Sequence, residues 1–149
     1  MSHPASPLPA PEEVLPHRPP FLFLDTVTEL DRDGNAAGHW TLTGRETFFA
    51  GHFPGQPTLP GVLMIEAIAQ LGAYAVLAGG EHPGKLPLFG GVDGVRFRQQ
   101  VKPGDTLDLA VELGRMSARA GKGHGRALLG GETACEADLL FVLVDSDAV

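Results

Sequence analysis

The central segment of the chain, Pro60–Gly80, reads PGVLMIEAIAQLGAYAVLAGG and is apolar on nearly every side. This pattern predicts an α-helix over residues 62–77 that is buried on most of its faces. Pro60 suits the first helical position, and two consecutive glycines, Gly79 and Gly80, are typical of a helix end. Because Glu66 and Gln70 interrupt the run, a buried helix of a soluble protein is favoured over a membrane span.

The sequence on either side of this helix shows the alternation and the turn signals of antiparallel β-strands. Strands are expected before and after the helix, at residues 21–30, 36–43, 87–101, 106–116, 123–130 and 132–144. The turn Asp31-Arg32-Asp33-Gly34-Asn35 joins the first two strands into a hairpin. One long antiparallel sheet wrapped around a central helix, an α+β architecture, satisfies this order because it buries the whole helix.

The length and composition are those of one soluble domain. The chain has 149 residues, and we expect a single domain over residues 14–149. Residues 1–13, rich in Pro and Ala and without the features of a signal peptide, are expected to form a disordered or loosely packed lead. The net charge of −7 argues against nucleic acid as a partner. A single cysteine, Cys135, excludes an internal disulfide and fits a reducing cytoplasm.

Glu66 is the first candidate for chemistry, because it is a lone carboxylate inside the apolar helix. Burial would desolvate it and favour the neutral acid, which can donate a proton. The alternative is a surface-facing residue of an amphipathic helix. Gln70, one turn further on, lies on the same face, so the two form one narrow polar stripe.

His52 is the second candidate, in the turn Gly51-His52-Phe53-Pro54-Gly55. The glycines would let a substrate approach the backbone, and a neutral imidazole is the usual general base at neutral pH. The alternative is a turn histidine that binds a backbone carbonyl. A third candidate is the helix start at Pro60-Gly61-Val62, whose N–H groups could stabilise a developing enolate, although any helix start offers such groups.

Other common site patterns do not occur in the sequence. It contains no His-x-x-x-His, no Cys-x-x-Cys and no Gly-x-x-x-x-Gly-Lys-Ser/Thr, so we expect neither a metal site nor a nucleotide cofactor. The histidines at positions 3, 39, 82 and 124 have no partner at ligand spacing. We expect Cys135 to pack as a small apolar residue.

Five stretches of the sequence together resemble the FabZ-type (3R)-hydroxyacyl-acyl carrier protein dehydratases. They are Leu15–Asp25 (LPHRPPFLFLD), Gly51–Gly55 (GHFPG), Leu59–Gln70 (LPGVLMIEAIAQ), Val95–Arg98 (VRFR) and Val101–Asp105 (VKPGD). They stand in the order and at the spacing of that family. The resemblance extends from about Val14 to Val144 and implies a hot-dog fold, in which an antiparallel sheet wraps a central helix.

The resemblance also implies an activity and roles for individual residues. The reaction would convert a (3R)-hydroxyacyl thioester on acyl carrier protein, held through phosphopantetheine, to the trans-2-enoyl thioester without a cofactor. His52 would remove the C2 proton, Glu66 would protonate the departing 3-hydroxyl, and the Gly61 N–H would bind the thioester oxygen. The Thr58 carbonyl would orient the His52 ring, and Gln70 would help to hold Glu66.

The resemblance further implies a dimer in which two sheets join, commonly within a trimer of dimers. His52 of one subunit would then work with Glu66 of the other. The chain departs from the family pattern at Pro20, at Gly90–Asp93 and within Glu81–Leu88, near the opening of the family's acyl tunnel. The length and shape of the acyl group are therefore not determined by the resemblance. The same holds for the choice between fatty acid elongation and polyketide or polyene assembly.

Arg96, Arg98 and Lys102 form the one dense basic group of this acidic chain. Carrier proteins are acidic, so we expect these residues to form a docking patch; the alternative is a solvated strand face.

Two other functions are also compatible with the residues of the central helix. A hot-dog acyl thioesterase would use a helix carboxylate to activate water without needing the Gly-His-Phe-Pro-Gly turn. A non-catalytic partner of a hot-dog heterodimer is disfavoured by the presence of both His52 and Glu66.

Overall fold

The structure is a computed structural model and describes residues 8–148. The elements are two helices, α1 and α2, and six strands, β1 to β6, within those residues. In chain order they are α1 (Pro11–Val14), β1 (Thr26–Leu30), β2 (Asn35–Thr41), α2 (Gly61–Ala78), β3 (Lys85–Phe97), β4 (Thr106–Met116), β5 (Ala120–Leu129) and β6 (Glu132–Asp145). Short 3-10 helices occupy Thr47–Ala50 and Ser146–Ala148.

All six strands form one antiparallel sheet in the order β1-β2-β4-β5-β6-β3. The helix α2 packs on the inner face of this sheet against β2, β3, β4, β5 and β6. This is the hot-dog arrangement, and it confirms the α+β architecture and the element order expected from the sequence. The strand β3, which follows the helix, lies at the sheet edge beside β6, the last strand of the chain.

The helix α2 is the centre of the hydrophobic core. Its residues from Ala67 to Val76 are all buried, because the sheet wraps around it. By length and hydropathy it would pass for a membrane span, but two thirds of it (67%) is buried inside the fold. The helix comes so close to the sheet that a Cβ on Gly72 would lie 2.6 Å from the ring of Phe141.

The first strand is shorter than the sequence pattern predicts. The expectation of a strand over 21–30 is wrong for residues 21–25, since β1 begins only at Thr26. Only Asp25 of this segment reaches the neighbouring strand, through its N–H to the His39 carbonyl at 2.9 Å, whereas Phe21 and Phe23 bond to a side chain. The Phe23 N–H donates to Gln70 Oε1 at 2.8 Å, and the Phe21 carbonyl accepts from Gln70 Nε2 at 3.1 Å.

The expected strand over 87–101 is also displaced, because β3 runs from Lys85 to Phe97. The Arg98 N–H still donates to the Ala134 carbonyl of β6 at 2.7 Å. Further along, the chain pairs with the segment that precedes the helix, where the Leu59 N–H donates to the Val101 carbonyl at 2.8 Å. β5 begins at Ala120 rather than at residue 123. The remaining strand boundaries agree with the expected ones to within two residues.

The expected lead over 1–13 lies partly outside the described residues, which begin at Leu8. In its described part, α1 is formed and Pro11 is buried. The Tyr74 hydroxyl of α2 donates to the Pro9 carbonyl at 2.6 Å, and Leu8 contacts the core. Residues 8–13 therefore pack against the domain.

Candidate active site

Glu66 projects from the first turns of α2 beside Gln70, one helical turn further on. Gln70 is 1% exposed, and its side-chain orientation is determined by two backbone groups, because Oε1 accepts from the Phe23 N–H and Nε2 donates to the Phe21 carbonyl. Gln70 Nε2 also donates to Glu66 Oε2 at 3.0 Å. The polar stripe expected from the sequence is therefore a hydrogen-bonded pair that holds the Glu66 carboxyl group in place.

The Glu66 side chain is 22% exposed, so it is only partly desolvated. It borders a cavity of about 250 Å³ lined by Pro16, His17, Glu66, Ala69, Gln70, Ala73, Leu86, Pro87, Leu88, Phe89 and Phe141. Most of this lining is apolar, and the functional groups are those of His17, Glu66 and Gln70. The cavity therefore suits an apolar chain that carries one polar group near Glu66.

His17 is a residue that the sequence analysis did not single out. Its Nε2 lies 3.9 Å from Glu66 Oε2, and its side chain is 27% exposed. Its Nδ1 atom is buried and has no hydrogen-bond partner among the described residues. The one sequence feature that could have identified His17 is its position within the Leu15–Asp25 stretch, which resembles the FabZ-type family. Nothing in its local spacing relates it to Glu66.

His52 lies in a turn that follows the 3-10 helix Thr47–Ala50. Its Nδ1 is 2.8 Å from the Thr58 carbonyl oxygen, and its backbone carbonyl accepts from the Thr58 N–H at 2.8 Å. The exposed Phe53 ring stacks on the imidazole with 4.0 Å between ring centroids. Because a carbonyl can only accept, the neutral imidazole carries its proton on Nδ1, and its Nε2 presents the lone pair.

Gly61 begins α2 directly after Pro60. A Cβ at this position would lie 2.8 Å from the ring of Phe97, so the glycine allows the end of β3 to cover the helix start. Phe97 is itself half exposed, and Val62 on the first turn is about two thirds exposed. The N–H groups of a helix start have no acceptor inside the helix and carry the positive end of its dipole.

The three candidate groups of the sequence analysis do not all lie in one cavity of a single chain. Glu66 and Gln70 line the cavity described above, but His52 is not part of its lining. Gly61 and His52 lie on either side of the short segment 53–60. The described residues of one chain therefore present the Glu66 carboxyl group and the His52 imidazole at separate places.

The basic residues Arg96, Arg98 and Lys102 are all exposed. Arg98 Nε donates to Glu136 Oε2 at 3.0 Å, so a carboxylate lies among them. Among residues 8–148, no group of three or more His, Cys, Asp or Glu side chains is arranged to hold a metal ion. Elsewhere in the sheet, His124 Nδ1 lies 2.8 Å from Asp138 Oδ1.

Comparison with known proteins places this chain in a family. The family model described as FabA-like domain matches residues 15–138. A curated relative from Moorella thermoacetica, 3-hydroxyacyl-[acyl-carrier-protein] dehydratase FabZ, is 52% identical over 130 residues, which cover 87% of this chain and 91% of the relative. The relative of the same name from Chloroflexus aggregans is 51% identical over 132 residues, 89% of this chain and 92% of that one.

The chain belongs to the FabZ-type dehydratases. Family membership confirms the resemblance expected from the sequence, and the solved structures agree with it at the level of the fold. A dehydratase heterocomplex, ApeI:P from Xenorhabdus doucetiae, has a TM-score of 0.77 at 20% identity, covering 94% of each chain. The roles of individual residues in this FabZ-type chain do not follow from these matches, and they are proposed below from its geometry.

Proposed function

We propose that the chain dehydrates a (3R)-hydroxyacyl group carried on the phosphopantetheine arm of acyl carrier protein, giving the trans-2-enoyl thioester. It is therefore a hydro-lyase of acyl chain elongation, as FabZ-type enzymes are, and it needs no cofactor. The observation that carries the proposal is the pairing of Gln70 with Glu66 at the wall of an apolar cavity. A carboxylic acid held in this way is positioned to protonate a hydroxyl group on an otherwise apolar chain.

His52 is the general base in this proposal. The Thr58 carbonyl keeps the ring proton on Nδ1, so Nε2 is available to accept the C2 proton of the substrate. The electron pair of the C2–H bond becomes the new C2–C3 π bond as the C3–O bond breaks. The leaving oxygen takes the Glu66 proton and departs as water.

The Gly61 N–H is the proposed donor to the thioester oxygen. As the C2 proton leaves, negative charge builds up on this oxygen, and a helix N-terminus stabilises such charge. Phe97 lies over this helix start and shields it partly from water. Hydrogen bonds of this kind are stronger where water is excluded.

Two subunits are proposed to complete the site. The edge strand β3 is 13 residues long and carries the exposed apolar side chains of Leu88, Phe89, Val92 and Phe97. An unpaired apolar edge of this length is stabilised by pairing with the same edge of a second chain. Because residues 86–89 of β3 also line the Glu66 cavity, a partner docked there would bring its own surface to the cavity rim. We infer that the partner contributes His52, and that such dimers can assemble further into a trimer of dimers.

The carrier protein is proposed to dock on Arg96, Arg98 and Lys102. These residues lie close in sequence to Phe97 and hence to the helix start where the thioester would sit. Since Glu136 neutralises part of the Arg98 charge, Arg96 and Lys102 supply most of the attraction. An acidic carrier is attracted by such a local patch although the whole chain is acidic.

The docking patch is tested by charge reversal. Lys102→Glu is expected to raise KM for a carrier-bound substrate several-fold at low salt and to leave a small thioester analogue unaffected. Lys122→Glu, which changes an exposed lysine on β5, is the matched control and should raise KM less. Equal effects of Lys102→Glu on both substrates would contradict the patch.

The proposed reaction is tested with a panel of 3-hydroxyacyl carrier proteins of varied chain length, analysed by mass spectrometry. Loss of one water with the thioester intact is the expected result, and His52→Ala should abolish it. Release of free acid and thiol would instead indicate a thioesterase.

The preferred acyl group in the panel distinguishes fatty acid elongation from polyketide or polyene assembly. Activity of the purified single chain would exclude an obligatory heterodimer.

A further inference from the structure

The Glu66 cavity contains an imidazole to which the proposed function assigns no role. Of the residues lining it, only His17 and Glu66 carry ionisable side chains. The neighbouring part of β3, Leu86–Phe89, contributes apolar groups and proline, and α2 contributes Ala69 and Ala73 beside Gln70. A substrate in this cavity would therefore meet His17 and Glu66 together.

The hydrogen bonding of His17 indicates which ring nitrogen carries its proton. Nδ1 is buried without an acceptor among the described residues, and a buried N–H without an acceptor is unfavourable. The favoured neutral tautomer thus has its proton on Nε2, the atom that lies toward Glu66. Nε2 can donate a hydrogen bond into the space beside the carboxyl group.

The distance between the two groups suits a shared ligand. The 3.9 Å between His17 Nε2 and Glu66 Oε2 is too long for a direct hydrogen bond. It is short enough for one oxygen atom to lie about 2.8 Å from both groups. Arg18 supports this geometry, because its Nη1 donates to the carbonyls of Leu15 and His17 and so braces the loop that carries the imidazole.

We propose that His17 is a further catalytic residue, whose Nε2–H donates to the departing 3-hydroxyl oxygen while Glu66 protonates it. This inference rests on the proposed function, since it needs Glu66 as the acid. When the C3–O bond breaks, its electron pair goes to the oxygen, which takes the Glu66 proton and leaves as water. His17 keeps its proton throughout and stabilises the negative charge that develops on the oxygen before proton transfer is complete.

The inference predicts a specific kinetic effect. A donor aimed at charge that develops in the transition state lowers the barrier more than it strengthens ground-state binding. His17→Phe is therefore expected to lower kcat by about 100-fold and to change KM by less than about threefold. His17→Gln, whose amide N–H can replace Nε2–H, should recover at least about a tenth of the wild-type kcat. His39→Phe, a histidine on β2 outside the cavity, is the control and should be as active as wild type.

A change of leaving group separates this role from a structural one. A 3-chloroacyl thioester needs no proton or hydrogen bond at its leaving group, because chloride departs as a stable anion. The His17→Phe variant is expected to lose less than about threefold on 3-chlorobutyryl thioester after subtraction of the uncatalysed rate, while losing about 100-fold on the 3-hydroxybutyryl thioester of the same thiol. Circular dichroism and the sedimentation coefficient should match wild type.

The possible failures can be told apart. Equal losses of His17→Phe on both leaving groups, or no loss on either, would overturn the role of His17 while wild type and His39→Phe still dehydrate the 3-hydroxyacyl substrate. A wild-type enzyme that forms no enoyl product would overturn the proposed function, and the role of His17 with it.

Discussion

At the scale of single residues, Gln70 connects the structure of the chain to its chemistry. Its amide group hydrogen-bonds to the Phe23 N–H and the Phe21 carbonyl, and it also holds the Glu66 carboxyl group. A buried polar group with all its hydrogen-bond partners in place has a single favoured orientation. The Gln70 amide therefore fixes the position of the Glu66 carboxyl group to which it donates. The i, i+4 spacing in the sequence predicts that the two side chains meet, but not that the backbone of another segment determines their position.

Glu66→Gln tests the carboxylic acid as the proton donor. The substitution keeps the volume and an oxygen acceptor for Gln70 Nε2, and it removes only the transferable proton. We expect kcat for dehydration to fall by about 100-fold or more, with a free energy of unfolding within about 0.5 kcal/mol of wild type. Steady-state kinetics and urea unfolding measure the two quantities.

Glu112→Gln is the matched control, because Glu112 is an exposed residue of β4 outside the cavity. It should retain wild-type kcat. A Glu66→Gln enzyme that dehydrates at the wild-type rate would show that another group donates the proton.

Cys135 illustrates a residue whose behaviour follows mainly from burial. It is fully buried in β6, as its expected apolar role requires, and burial raises the pKa of its thiol to about 11, with a further contribution from the negative charge of Glu136. Because the thiolate is the reactive form, reaction with an aromatic disulfide at pH 8 should be at least about 100-fold slower in the folded protein than in urea. The rate of thiol release measured by absorbance checks this, and equal rates would show that Cys135 is accessible.

At the scale of elements, the position of α2 on the sheet depends on glycines at the contact. Gly72 has no room for a side chain, since a Cβ would lie 2.6 Å from the Phe141 ring. The apolar pattern of the helix predicts burial on all sides, but which glycine lies against which strand residue depends on the tertiary packing. Such close packing leaves little space for adjustment.

Gly72→Ala should therefore destabilise the fold, although alanine favours helix formation. We expect a loss of about 1–3 kcal/mol in the free energy of unfolding, because the added methyl group displaces Phe141. Gly51→Ala is the matched control, because Gly51 has an ordinary negative φ and nothing within 4 Å of the added atom. Urea unfolding of both variants at one protein concentration measures the difference. A Gly72→Ala protein more stable than wild type would contradict this account of the contact.

At the scale of the whole molecule, the exposed edge strand β3 relates the fold to the proposed assembly. Co-expression of two differently tagged inactive chains, His52→Ala and Glu66→Gln, allows dimers that contain one of each to be isolated. If the site is shared, one of the two sites in such a dimer has both residues, and about half of the wild-type rate per dimer is expected.

The control pairs the Glu66→Gln chain with a chain that carries both substitutions, because neither site of that dimer has both residues. It should be inactive in the same enoyl-thioester assay. If the first mixed dimer is inactive too, each subunit uses its own His52 and Glu66.

The sequence alone determined the buried helix, the strands in their order and the residue types of the site. These depend on local properties: apolar periodicity over 62–77, turn residues such as those at 31–35, and the lone Glu66 and Gln70 in an apolar run. Only the tertiary structure decided that Phe21 and Phe23 bond to Gln70 instead of joining the sheet, that β3 occupies the edge beside β6, and that His17 lies near Glu66. These arrangements join residues about 40 positions apart or more, and no local pattern specifies such pairs, because their energies depend on the packing of the complete fold.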